Sequence, residues 1–403
     1  MDAIETARIK ERMEFEAGRK GPPTDFPKLP AIPAGRYTDS QFLALERERM
    51  WKRAWLYACH ADEIPEPGDW KLVRNTGSPV IIVRDLNGSF RAFYNTCQHR
   101  GAPLVTGESG NGRGFVCGYH GWSYTLEGKL TAVRDKRDFT DFDFSCNSLK
   151  QLSCENIGKL IFINEDPEAE DLRSHLGPMA AELEQYRFDK LDFVESRSYE
   201  VECNVKVLID AFLEVYHLKS IHQKSVDRFL DHRGMTATLW PGGHSRMVTP
   251  NKRPDWQDPG TIGMPKLEEV TEIPRDNNVS YMIYPNFVMP PSDSGIPLLQ
   301  FWPTGNNSCR VVSTWIAPEH DRDDPRPKWE ERTANWERIL YEDLQYAPQI
   351  QESLESPGFV GMPLNYQERR IYHWHEELDR RIGDNYLPRE HAVQQVLEPW
   401  VQA

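Results

Sequence analysis

Cys97-Gln98-His99-Arg100-Gly101 and Cys117-Gly118-Tyr119-His120-Gly121-Trp122 are the stretches on which the reading of this chain turns. They form a C-x-H pair and a C-x-x-H pair, separated by residues 100–116. Two thiols and two imidazoles, one of each per motif, suit a [2Fe–2S] centre of the Rieske type. There one iron keeps two thiolates and the other takes two neutral imidazoles. Each motif supplies one ligand to each iron, so two hairpin tips can clamp the cluster from opposite sides. Zinc also accepts Cys₂His₂. Zinc modules, however, pair C-x-x-C with H-x₃₋₅-H, whereas each motif here mixes a Cys with a His.

Outward from the motifs, residues 55–164 alternate short strand patterns with turns. Residues 79–84 and 89–94 flank Asp85-Leu86-Asn87-Gly88, a hairpin signal. Residues 121–125 run through the turn 126–129 into another strand, and 159–164 close a small all-β domain. Both Cys/His motifs therefore fall at strand ends. Upstream, residues 1–35 are charged and then rich in proline, which reads as an arm on the surface. Thr38-Asp39-Ser40 caps a helix to about Arg53, with Phe42, Leu43, Met50 and Trp51 facing inward. Downstream, 171–186 reads as helix, 194–207 as strand and 208–222 as helix. Strand-like runs follow over 235–318, and then one long helix over 325–355. The expected chain is α+β: an arm and helix over 1–45, the all-β cluster domain over 46–165, and a catalytic domain over 166–403.

Composition narrows the function classes. The 403 residues are 39% hydrophobic and 27% charged, ordinary for a globular protein. A net charge of −14 argues against nucleic acid as a partner. No run approaches the ~18 apolar residues of a membrane span. The first residues carry acidic groups and no apolar signal segment. Of seven cysteines, Cys59, Cys146, Cys154, Cys203 and Cys309 lack framework spacing and read as reduced thiols of a cytoplasmic protein.

A second constellation is Glu214-Val215-Tyr216-His217-Leu218-Lys219-Ser220-Ile221-His222. Glu214 and His217 are spaced i, i+3 and share a helical face. His217 and His222, five apart, are turned roughly 140° from each other on a regular helix. They reach one ion only if the helix ends or distorts between them; otherwise they are two hydrogen-bonded histidines on an amphipathic helix. The cluster motifs tip the balance. A Rieske centre passes single electrons and needs something to reduce. Two histidines and one carboxylate on Fe(II) are the common non-haem oxygenase solution, so an Asp or Glu should follow further along.

Together these residues resemble the catalytic (α) subunit of Rieske non-haem iron oxygenases, the ring-hydroxylating oxygenases, from about Arg36 to Ile382. The resemblance rests on C-x-H-R-G, C-x-x-H-G-W and carboxylate-x-Y-H-x₄-H, matched here by Glu214 through His222. It implies that Cys97, His99, Cys117 and His120 hold the cluster, and that His217 and His222 hold a mononuclear iron. The family's third ligand is an aspartate on a C-terminal helix, which the run over 341–351 matches at Asp343, with Glu342, Glu337 and Glu352 as the nearby carboxylates. The implied catalytic fold is helix-grip-like, an antiparallel sheet with a long C-terminal helix.

Two positions depart from the family pattern. Glu214 stands where an aspartate usually bridges the iron histidine to a cluster histidine of the next subunit. The extra methylene adds about 1.5 Å of reach. Some family members acting on quaternary ammonium compounds such as carnitine also carry Glu there. Asp210 stands where many members have Asn; it is expected protonated, bonded to His222, or turned away.

The implied activity is that of a terminal oxygenase using O₂ and electrons from a reductase or ferredoxin, with NAD(P)H acting only through that separate reductase. The expected substrate is an aromatic or other hydrophobic molecule in a pocket lined by Leu213, Met282, Phe287, Met289, Phe301 and Trp302 near Asp210. The alternatives are a monooxygenase or demethylase of a quaternary ammonium or methylated compound, an electron-transfer protein without oxygenase chemistry, and a zinc-stabilised binding module. The resemblance also implies a head-to-tail homotrimer, with or without a small β subunit, in which electrons pass through His120, Glu214 and His217.

Overall fold

Val80-Ile81-Ile82-Val83 is an apolar run with none of its four side chains exposed, the mark of a strand covered on both faces. The computed structural model describes residues 1–253, 259–319 and 328–402, and its chain divides into two units. In the unit Trp51–Leu172 this strand lies within a seven-stranded sheet. The order is Leu56–His60, Leu160–Asn164, Gln151–Ile157, Phe90–Tyr94, Val80–Arg84, Asp69–Val73, Ser109–Asn111. The expected hairpin forms: Val83 pairs with Arg91, and Asp85 Oδ1 accepts the N–H groups of Asn87 and Ser89 at 2.9 and 3.0 Å. A three-stranded sheet of Phe115–Val116, Ser123–Tyr124 and Leu130–Ala132 frames the second Cys/His motif.

The other unit joins Met1–Met50 to Arg173–Ala403. Its centre is a seven-stranded antiparallel sheet ordered Leu191–Val201, Ser308–Pro318, Ile296–Gly305, Phe287–Met289, Asn277–Ile283, Ser245–Pro250, Thr236–Leu239. Helices Trp329–Leu344, Ala347–Leu354 and Arg369–Ile382 follow it, in keeping with the α+β expectation. Arg36, fully buried, donates from Nη1 to Asp379 Oδ1 at 2.6 Å and ties the segment before the Ser40–Arg49 helix to the last long helix.

The element boundaries correct the sequence reading in several places. Residues 1–35 are not all arm: Ala3–Gly18 is helical because Asp2 caps it, accepting from Glu5 N–H at 2.8 Å, while Ile9 and Glu16 are buried. The strand expected over 194–207 ends at Val201, since Asn204 accepts from Lys206 N–H at 3.1 Å and starts a helix, Val205–Ala211. The late helix is two, Trp329–Leu344 and Ala347–Leu354, with Pro348 in the first turn of the second. Its expected beginning at 325 lies outside the described residues. Among the described residues no helix is long and apolar enough to cross a membrane.

Candidate metal centres and active site

The two Cys/His motifs fold into matching knuckles. Gly101 N–H donates to Cys97 O at 3.0 Å, and Gly121 N–H to Cys117 O at 2.9 Å. Cys97 N–H reaches Ala102 O, and Cys117 N–H reaches Trp122 O, both at 2.8 Å. Each knuckle turns back at its glycine, with φ of 72° at Gly101 and 74° at Gly121, a conformation that side chains with a Cβ resist. Cys97 and Cys117 are 2% exposed, and the His99 and His120 rings lie 4.6 Å apart. Trp122 stacks on His99 at 4.8 Å with 8° between the planes, fixing that ring. The Tyr124 hydroxyl accepts from Gln98 N–H at 3.1 Å and lies 3.4 Å from Cys97 Sγ.

The chemistry of this donor set fits an iron–sulfur cluster. Nδ1 of both His99 and His120 is buried and has no hydrogen-bond partner, an expense that a metal bond would remove. Burial, reinforced by His120, holds His99 below the usual imidazole range, so it presents a neutral ligand. Burial pushes the Cys97 thiol up, so a cation is needed to bring it to thiolate.

The second centre is built where a helix gives out. Val205–Ala211 stops, Leu213 N–H tightens onto Asp210 O at 3.0 Å, and a 3₁₀ turn runs over Tyr216–Lys219. The helix expected over 208–222 is thus broken. The cause is Glu214, whose Oε2 takes the backbone N–H groups of Tyr216 and His217 and competes with the helical ladder. The break swings the two histidines together, with ring centroids 5.1 Å apart. Asp343, near the end of Trp329–Leu344, completes the group, and one ligand atom from each of His217, His222 and Asp343 lies within 4.8 Å of the others.

The same carboxylate oxygen, Asp343 Oδ1, is 3.6 Å from His217 Nε2 and 3.2 Å from His222 Nε2. The opposite ring nitrogens are both held: His217 Nδ1 by Glu214 Oε1, and His222 Nδ1 by Glu342 Oε2 at 2.6 Å. That is the arrangement that fixes an imidazole tautomer and turns the other nitrogen to a metal. Burial alone would lower His217, but Glu214 and Asp343 override it and the net shift is upward. His222 is also raised, against burial, by Asp343 and Glu342. Positive charge is favoured where the two Nε2 atoms converge, and two imidazoles with one carboxylate suit ferrous iron. Of the other carboxylates considered, Glu337 pairs with Arg197, and Glu352 is exposed.

Asp210 does not bond His222. Tyr37 O–H donates to its Oδ2 at 2.5 Å, and His375 Nε2 lies 2.9 Å from the Tyr37 oxygen. Burial pushes the Asp210 carboxyl up to about 7. At the end of the Val205–Ala211 helix it joins the cluster of Tyr37, His375 and Arg36.

The expected pocket residues are deeply buried. Leu213, Met282, Phe287, Met289, Phe301 and Trp302 are at most 2% exposed. A cavity of about 820 Å³ in this unit is bounded by residues such as Ser225, Trp315, Trp336, Arg338 and Ile339. Ser225 Oγ donates at 2.6 Å to Glu342 Oε2, the carboxylate that holds His222, so one lining residue supports the group that orients an iron histidine. Sequence reasoning named Glu342 only as a rival ligand and missed Ser225, whose signal is confined to its place three residues after His222.

Comparison with known proteins places both centres in one setting. Residues 54–146 match the Rieske [2Fe-2S] domain, and residues 188–384 match the ring hydroxylating alpha subunit (catalytic domain). Choline monooxygenase, chloroplastic, of Arabidopsis thaliana is 28% identical over 386 residues, covering 87% of this chain and 84% of that protein. The anthranilate 1,2-dioxygenase large subunit of Acinetobacter baylyi is 32% identical over 204 residues, 49% of this chain and 43% of that one. A solved structure of a quaternary ammonium Rieske monooxygenase in complex with L-carnitine shares the fold. Its TM-score is 0.71 at 22% identity, over 88% of this chain and 97% of that one.

Proposed function

This chain belongs to the Rieske oxygenases as an α subunit, and from that premise we propose that it oxygenates an aromatic or other largely apolar small molecule, fed by a separate reductase or ferredoxin. The observation that carries the reading is the pair of histidines whose Nε2 atoms converge on Asp343 while carboxylates hold both Nδ1 atoms. When bound, the cluster supplies single electrons and the ferrous ion activates O₂. The chain's own residues do the rest. His217, His222 and Asp343 would hold the iron, and Glu342, itself held by Ser225, keeps the His222 ring from turning.

Glu214 is the proposed link between copies of the chain. Its Oε1 accepts from His217 Nδ1 and retains a second lone pair for a donor from outside. In a head-to-tail trimer that donor is His120 of the neighbouring subunit. Large apolar side chains stand exposed beside both centres, Val116 and Tyr119 next to His120 and Tyr216 next to His217, as a subunit contact requires.

A second reading, oxidation of a quaternary ammonium compound, is favoured by Glu214 and by the relatives named for choline and carnitine. The anthranilate relative favours an aromatic one. Product analysis with both substrate classes separates them.

Replacing Glu214→Gln tests the bridge. The variant should keep both metal centres and the trimer while losing at least 100-fold in steady-state turnover, in line with removing one essential relay group. Full turnover in the variant, or a wild-type protein that sediments as a monomer, would refute the proposed route.

A further inference from the structure

We infer that three phenylalanines of the segment after the second knuckle, Phe139, Phe142 and Phe144, form an aromatic seal over the His99 side of the cluster site and hold the cluster's reduction potential down. The inference rests on the reading that Cys97, His99, Cys117 and His120 bind the cluster, and it assigns work to residues outside that ligand set.

The segment Asp138-Phe139-Thr140-Asp141-Phe142-Asp143-Phe144 alternates polar and aromatic residues, the pattern of a strand. It is bent instead. Asp141 takes a φ of 50°, a left-handed conformation that few side chains accept and that Asp tolerates. Asp143 closes the next turn, accepting at Oδ1 from Ser145 N–H at 2.9 Å and from the Ser145 hydroxyl at 2.6 Å. The bends gather the three rings to 4.7–5.6 Å of one another, while Asp138, Thr140, Asp141 and Asp143 stay exposed.

The rings converge on a residue that touches a ligand. Trp122 lies 5.9, 6.1 and 6.5 Å from Phe139, Phe142 and Phe144, and it stacks on His99. Phe139 is itself 6.2 Å from the His99 ring. Phe139 and Phe142 pack against the same apolar core that holds Cys97 and Cys117. Ring contacts of this kind bury apolar area and keep water out. His120 is covered differently: its ring neighbour Tyr119 lies 3.8 Å away and is 58% exposed. One histidine is roofed by rings that shelter one another, the other by a ring standing in solvent.

That asymmetry bears on the electron. Reduction makes the cluster one charge more negative, and added charge is less stable where water is kept away. A dry roof therefore lowers the potential, and opening it should raise it. Packing that served stability alone would move the melting temperature and leave the potential where it was.

The test is redox titration of the intact, cluster-loaded protein, followed by its visible absorption. Phe142→Ala and Phe144→Ala open the roof, and Phe142→Leu is the control that still excludes water. At an ambient potential where the parent cluster is half reduced, each alanine variant should raise the reduced-to-oxidised ratio roughly threefold or more. The leucine variant should stay near the parent. In heavy water, deuterium coupling to the reduced cluster, read by pulsed EPR, should grow in the alanine variants. Iron held by His217, His222 and Asp343 is the internal control and should remain. Should Phe142→Ala fail to keep its cluster, Phe144→Ala, the outermost contact of Trp122 at 6.5 Å, carries the test. Potential and deuterium coupling that match the parent in the alanine variants, or alanine and leucine variants that shift alike, would overturn the seal. A parent protein that binds no cluster would instead overturn the reading on which it rests.

Discussion

Asp210 shows how far one carboxyl can be governed by its surroundings. Arg36 Nε donates to His375 Nδ1 at 3.0 Å, so the ring proton sits on Nε2, which donates to the Tyr37 oxygen, and Tyr37 donates on to Asp210. Burial, with Arg36 and Lys206, keeps His375 neutral. Burial raises Asp210 from 3.8 to about 7 even though Tyr37, Lys206 and Arg36 pull it down. The folded chain therefore holds this proton more tightly than the unfolded one. Stability is highest below the unfolded value, falls as pH rises from about 4 to about 7, and then levels. Asp210→Asn removes that titration. Its stability relative to the parent should rise across the window by an amount on the order of a few kcal/mol. Paired urea melts at about pH 4.5 and about pH 8 check it, and a difference that stays constant with pH would count against this account.

At the scale of elements, the iron site depends on one helix held against one broken one. Trp329–Leu344 contributes both Asp343 and Glu342, adjacent residues with different duties: the first faces the two Nε2 atoms, and the second grips His222 Nδ1 and Ser225 Oγ. Glu342→Ala leaves His222 free to rotate and should cost about 10–100-fold in iron affinity, the usual penalty for losing such a partner. Iron titration of the apoprotein, with the cluster absorbance as an internal control, measures it. The motifs Cys97–Gly101 and Cys117–Trp122 were legible because their ligands and turn glycines are local. The His217–His222 pair was legible only as a condition, that the helix break. The reason it breaks, Glu214 capping the next turn with its own carboxylate, is a side-chain choice that apolar periodicity does not register. The cavity was illegible: Lys224, Arg275 and Arg332 belong to three distant segments that only the folded chain brings together.

For the whole molecule, the two centres draw their ligands from different parts of the chain. Cys97, His99, Cys117 and His120 all lie in the unit Trp51–Leu172, and His217, His222 and Asp343 all lie in the other. Each unit has its own seven-stranded sheet, and the cluster cysteines pack among Phe93, Phe115 and Trp122 within one apolar core. No ligand is shared, so the loss of one metal should leave the other seated. Asp343→Ala removes the carboxylate that both Nε2 atoms face, leaving two imidazoles without the anion that favours Fe(II). Iron content should fall from about three to about two atoms per chain. The visible absorption of the cluster should persist, because nothing within the knuckles at Gly101 and Gly121 depends on Asp343. Substrate oxidation should disappear while the cluster still accepts an electron from dithionite. Loss of the cluster spectrum in this variant, or retention of all the iron, would mean that the centres are not built independently.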